Sequence, residues 1–237
     1  MSFIFQTIWE IFKSLPNTII ISLVAMTVGL CVGTLFAIIQ IRKTPIFSQL
    51  IIVYNSFIRS TPLIIQLFIL YYGIPNLILY LNATLGLKIN PDMFSPMLIA
   101  LIAFSLHAIA YLSETMKSGL LSVDYSQIEA AKTVGLSNRH IYTRIVLPQA
   151  FNYALPNIEN QFIMLIKGTS LAFAVQVTEI MAVSRIIANE GYQFITVYSI
   201  AAAFYWILAI ILEKVFHKIE SNSTNHLSTQ SSIKHTQ

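Results

Sequence analysis

Charge is scarce in this sequence and cysteine nearly absent. Of its 237 residues only 10% are Asp, Glu, Lys or Arg, while 56% are hydrophobic and the mean hydropathy is +0.70. An ordinary water-soluble domain is thereby excluded, because one core cannot hide so much apolar side chain. The single cysteine, Cys31, lies inside an apolar run. It rules out an intramolecular disulfide and a cysteine-paired metal site, and leaves Cys31 a packing role. No metal ligand set and no cofactor is expected. Missing too are the G-x-x-x-x-G-K-[ST] phosphate loop and the HExxH and GxSxG patterns, so no ATP site and no catalytic residue is assigned to this chain.

What is present is long apolar runs. The formal charge is +4, but the Lys and Arg residues are spread between those runs rather than gathered in a patch interleaved with aromatics. Basic membrane flanks, not a nucleic-acid surface, are the reading this pattern supports. A bilayer-crossing helix needs about 20 mostly apolar residues. Five segments qualify, at 17–41, 58–81, 92–116, 153–177 and 193–215, which predicts an all-α integral membrane fold. Lys13 precedes an apolar run too long for a signal peptide. Residues 1–15 are instead expected as a short amphipathic helix at the interface, with Trp9 as anchor, followed by a transmembrane domain over 16–218. FSQLIIVYNSF, before the IRSTP that opens the second span, is read as an elbow helix. Tyr71 and Tyr72, with Gly73 and Pro75, are expected to mark that span's outer end. The polar stretch 219–237 is expected to be a disordered cytoplasmic tail.

Orientation follows from the flanks. With the N-terminus outside, Arg42, Lys43, Arg59, Lys117, Lys132, Arg139, Arg144, Lys214 and Lys218 all fall inside, and the C-terminus is cytoplasmic. The loop at about 120–148 then lies in the cytoplasm. Ser126 or Asp124 can cap a first helix there, Gly135 suits a left-handed terminating residue, and Ser137 or Asn138 can cap a second helix. The second helix places Ile141, Ile145 and Val146 on one side before Pro148 resets the direction. Such a pair needs a surface to pack on, either the chain's own membrane domain or a partner.

Glu129-Ala130-Ala131, Gly135, Ile145 and Leu147-Pro148 reproduce the spacing of the EAA loop, and the chain on these residues resembles the permeases of ABC importers. IRSTPLIIQLFILYYGIP at 58–75 and ALPNIENQFIMLIKGTSLAF at 154–173 resemble the polar amino-acid uptake branch, and RSTPLIIQLFILYYGIP with IMAVSRIIA looks like its cystine-type members. Gly168 replaces an Asp common in that branch and Ser126 a Gly, so no charge-based role is carried over to the 168 segment. The resemblance implies a type I permease fold in a bacterial cytoplasmic or inner membrane. It also implies an EAA loop docked on ABC ATPase subunits, a second permease forming a homodimer or heterodimer, and an extracytoplasmic solute-binding protein. The cargo would be an amino acid.

Ionisable side chains at membrane depth face a bundle interior or a wet cavity. His107, Tyr111, Glu114 and Ser118 share one side of the third span; Asn152, Pro156, Asn160 and Lys167 share one side of the fourth, with Glu159 adjacent; Arg59, Gln66 and Gly73 share one side of the second. Gln66, His107, Tyr111, Glu114, Glu159, Asn160 and Lys167 are candidates to line a substrate pathway. The competing reading is that these groups satisfy one another at helix contacts. Glu114 and Lys167 are expected near the cytoplasmic ends of their spans, and Gln66, Glu159 and Asn160 deeper. Pro156 is expected to bend the fourth span. Two other functions compete with the ATP-driven importer: an ion-coupled secondary transporter, which would leave the loop unexplained, and a membrane-embedded enzyme using His107 and Glu114.

Overall fold

A computed structural model of the chain describes residues 3–232, with side chains described through Ser221. Every regular element among the described residues is helical. In order these are α1 (Phe3–Ile41), α2 (Phe47–Ser60), α3 (Leu63–Leu85), α4 (Pro96–Leu121), α5 (Tyr125–Thr133), α6 (Asn138–Ile141), α7 (Leu147–Gly168), α8 (Ile180–Gly191) and α9 (Phe194–Ser232). Among the described residues four helices are long and apolar enough to cross a membrane: α1, α3, α4 and the Phe194–Ser221 part of α9. The bent pair Asn138–Val175 and Ile180–Gly191, turned by 56°, supplies a fifth if it is counted as one span.

The bundle is built around α4, whose start is fixed by Ser95 Oγ accepting from Leu98 N with Pro96 in the first turn. Where α1 crosses it the backbones nearly touch. A Cβ at Gly33 would lie 2.9 Å from Ser113 N, and one at Gly29 only 2.7 Å from Ala108 Cβ. In lipid this close packing of small residues replaces the hydrophobic drive that water supplies elsewhere. Lower down, α4 meets α7 in the same way, since a Cβ at Gly119 would sit 2.5 Å from the Ala150 carbonyl oxygen.

Several expectations are corrected by this arrangement. No separate N-terminal interfacial helix exists among the described residues: Pro16 lies inside α1, which is continuous from Phe3. The first turns are held by tertiary packing, with Thr7, Ile11, Ser14 and Thr18 buried along one side and Ile11 packed with Ile180 and Ala201. Burial against neighbours compensates for the backbone bond that Pro16 removes. Pro75 does not end α3 either, although its surroundings are largely exposed; the helix runs on to Leu85 and stops at Gly86, φ 66. Pro156 likewise lies within α7. Cys31 is exposed on the outer side of α1 rather than packed. FSQLIIVYNSF does form a helix of its own, separated from α3 by Thr61 and Pro62. The backbone stays helical to Ser232, through much of the expected tail; residues 233–237 lie outside the described residues.

Candidate functional site

The loop between α4 and α7 has two faces. Asp124 caps α5 by accepting from Ser126 N, and hydrogen bonds from Ser126 hold its carboxyl below the usual carboxylate range. At the other end Gly135 takes φ 79, its N–H donating to Lys132 O at 3.0 Å while Leu136 N donates to Ala131 O at 3.1 Å. This is the paired-bond ending that needs a left-handed residue after the last turn. Inward, Ala131, Ile141 and Val146 are buried in the main core, with Ile145 and Leu147 packed against it. Outward, Glu129 and Ala130 are exposed, and with them two apolar side chains, Val134 at 75% and Leu136 at 39%. Gln149 Nε2 ties the helices together by donating to Gln127 Oε1 at 2.7 Å.

Two details of the loop differ from expectation. Ser137 stands at the start of α6 but caps no backbone N–H; its Oγ meets His140 Nδ1 at 3.0 Å. Nor does Pro148 redirect the chain. Residues 142–146 form a π turn, with Leu147 N donating to Tyr142 O, and the helix passes through it from α6 into α7. The wider turn accommodates a proline that an unbroken α-helix would reject.

A polar groove of about 580 Å³ opens between α2 and α4. Asn55, 2% exposed, donates Nδ2 to Ser113 Oγ at 2.6 Å and to Glu114 Oε1 at 3.0 Å. Lys117 lies 3.8 Å from Glu114 and donates to Gln40 Oε1 at 2.9 Å. Arg59 sits over the Tyr111 ring at 5.6 Å, and His107 is 4.6 Å from the same ring. Tyr111 and Glu114 thus share the groove, while His107 lies beside the Tyr111 ring without lining it.

The other candidates are elsewhere. Gln66 is turned to the α2–α3 corner, donating to Ile58 O at 2.8 Å and to Thr61 O at 3.0 Å, which is a structural duty. Asn160 and Lys167 are exposed on α7, and Glu159 lies within electrostatic reach of Glu213 and His217 on α9. Lys167 is in the last turn of α7. It is therefore about 30 Å of helix away from the loop end where it was expected.

Sequence reasoning passed over the most buried acid. Glu179 is 0% exposed; its carboxylate accepts from Met181 N at 2.8 Å and Ala182 N at 2.7 Å, and from Tyr205 Oη at 2.8 Å. Next to it Asn17 Nδ2 donates to Thr178 O at 2.6 Å, fastening α1 to the corner before α8. A signal existed, because Glu179 is the one acidic residue between Glu159 and Glu190 in an apolar stretch.

Comparison with known proteins agrees over nearly the whole chain. The family model described as "Binding-protein-dependent transport system inner membrane component" matches residues 29–221. A probable amino-acid ABC transporter permease, PatM of Vibrio harveyi, is 35% identical over 203 residues, covering 86% of each chain. The L-cystine transport system permease TcyL of Bacillus subtilis is 35% identical over 214 residues, 89% of this chain and 87% of the relative. Among solved structures, an amino acid ABC transporter crystallised with histidines superposes with a TM-score of 0.73 at 23% identity, covering 90% of this chain and 94% of that one.

Proposed function

The chain belongs to the family of binding-protein-dependent transport system inner membrane components, and from that membership we propose how this amino-acid ABC permease subunit is driven and what it carries. It is a multi-pass membrane transport component with the type I permease fold, not an enzyme in its own right. Two ABC ATPase subunits would bind ATP, a second permease would complete the pathway, and an extracytoplasmic binding protein would deliver cargo. The C-terminus and the loop are cytoplasmic in this reading, supported by the gathering of Arg42, Lys43, Lys117, Lys132, Arg139 and Arg144 at one end of the bundle.

The observation that carries the docking assignment is the two-faced loop. Its inner side is already satisfied by the chain's own core, so Glu129, Ala130, Val134 and Leu136 are left to meet something else. A cleft on the ATPase is the partner, and Gly135 sets the turn that presents them. Ala131, Ile145, Leu147 and Pro148 complete the assignment as the residues that seat the loop on the bundle. Closure of the ATPases pushes on α5 and α6. The push passes into α7 through the continuous helix and into α4 through the Gly119–Ala150 contact. Replacement of Gly135 by Val forces a β-branched residue into the left-handed region. That variant is expected to insert normally but to lose co-purification with the ATPase and ATP-driven uptake. Normal assembly and uptake would count against the docking assignment.

Cargo is a polar amino acid, with cystine preferred because TcyL is a cystine permease by name and matches along most of this chain. Tyr111 and Glu114 of the α2–α4 groove with His107 beside them, and Glu159, Asn160 and Lys167 of α7, would face the pathway once a second permease is in place; Gln66 supports the corner behind them. Accumulation of labelled cystine in ATP-loaded vesicles, measured beside arginine and histidine, tests this. Uptake of the others without cystine would overturn the choice.

A further inference from the structure

The corner where α1 ends and α2 begins holds a second groove, which shares Gln40 and Lys117 with the α2–α4 groove but whose Lys43 side the docking and pathway assignments leave unused. A groove of about 470 Å³ is lined there by Gln40, Lys43, Thr44, Ser48, Gln49 and Lys117, together with apolar residues such as Ile52 and Leu121. Gln40 is 5% exposed. Lys117 has donors only, so its bond to Gln40 fixes that amide with Oε1 toward the ammonium. Nε2 is left buried with no acceptor among the described residues, which is costly unless a ligand supplies one. Lys43 is exposed and makes no ion pair among the described residues.

The backbone of the corner is held in an uncommon shape. Lys43 and Ile46 both take left-handed φ values, 50 and 67, where a β-branched residue such as Ile46 is strained. The N–H groups of Phe47 and Ser48 at the start of α2 already donate to Pro45 O and Thr44 O, at 2.8 and 3.1 Å, so the groove is served by side chains rather than by the helix terminus. Glu114 pairs with Lys117 at 3.8 Å from outside the groove, whose lining holds two lysines and no acid. The site remains cationic. Both α1 and α4 end here, at the end of the bundle that carries the loop, which puts the corner at membrane-surface level. Alongside it α2 turns Leu50 and Val53 outward, 61% and 66% exposed.

We propose that this corner binds the phosphate headgroup of an anionic phospholipid. The ammonium groups of Lys43 and Lys117 and the Gln40 amide N–H donate to phosphate oxygens, and the acyl chains lie along the apolar outer side of α2. Basic pockets between membrane helices near the headgroup layer are suited to such lipids, and each lysine contributes about a fivefold preference. The site depends on the chain's being embedded in a bilayer, not on what it transports or which protein docks on its loop.

The test is native mass spectrometry of the full-length chain in detergent, offered phosphatidylglycerol, phosphatidylcholine or inorganic phosphate. Phosphatidylglycerol is expected to be retained over phosphatidylcholine. Lys43→Gln and Lys117→Gln should each lower retention about fivefold and together about thirtyfold. Gln40→Met should lower it with both lysines present, and Lys13→Gln, near the opposite end of α1, should not. Equal retention of the two lipids, or full retention by the double variant, would overturn the proposal. Displacement by millimolar inorganic phosphate would also overturn it, by assigning the corner to a soluble phosphate. A thermal midpoint recorded for each variant separates lost binding from lost fold, and the exposed Lys43→Gln carries the test alone if the Lys117 variant misfolds.

Discussion

Tyr205 of α9 donates a hydrogen bond from its phenolic O–H to Glu179, a carboxylate with no exposure that also caps α8. The bond joins the last span to the corner after α7. The two backbone N–H groups and one hydroxyl that meet the carboxylate are what make its burial tolerable.

Tyr205→Phe removes one of the three donors and keeps the ring. The expected loss is about 1.5 to 3 kcal/mol, the range for a hydrogen bond to a charged group. It should appear as a lower thermal midpoint of the purified chain. An unchanged midpoint would mean that the cap alone sustains Glu179.

Glycines in this bundle predict opposite outcomes by position. Gly33→Leu has nowhere to put its side chain against Leu112 and Ser113, and should cost about 3 kcal/mol or more, seen as failed expression or an early unfolding transition. Gly73→Ala lies mid-helix in α3 with nothing near its Cβ, and should stabilise the chain by about 0.5 to 1 kcal/mol. Equal effects at the two sites would contradict the α1–α4 contact.

Val134→Glu places a charge on the outward side of the loop. Because Val134 is 75% exposed, the change should move chain stability by no more than about 0.5 kcal/mol. Co-purification with the ATPase should nevertheless fall at least about tenfold, as a buried unpaired charge demands. Undiminished co-purification would remove Val134 from the docking face.

The Asp124 cap predicts a pH effect confined to α5. Its carboxyl sits below its ordinary range, so the cap is fully present above the unfolded-state value and is lost as pH falls through the lower folded one. Hydrogen exchange at the first amides of α5 should therefore quicken in acid. Asp124→Asn, which still accepts a hydrogen bond, should remove that pH dependence.

Composition and charge placement made the membrane fold legible, and Gly135 with Asp124 made the loop so, because these are local signals that tertiary packing does not reverse. Proline misled. Pro16, Pro75 and Pro148 all lie in helices: burial holds the turns around Pro16, a π turn precedes Pro148, and lipid offers the backbone around Pro75 no alternative partner. Helical spacing put His107, Tyr111 and Glu114 on one side of α4, yet could not show that only the last two line the groove or that Gln66 turns to its own corner. Periodicity reports which side of a helix a residue occupies, not which helix stands opposite.

From Asn138 to Gly168 the helix is unbroken, about 45 Å at 1.5 Å per residue, and it is pinned against α4 at Ala150. About 18 Å of it lies on the loop side of that contact and about 27 Å on the other. A second contact holds the far end, where a Cβ at Gly168 would lie 3.5 Å from the Phe104 ring of α4. Under the docking assignment, a push entering at the loop would therefore be carried by α4 and α7 as one body.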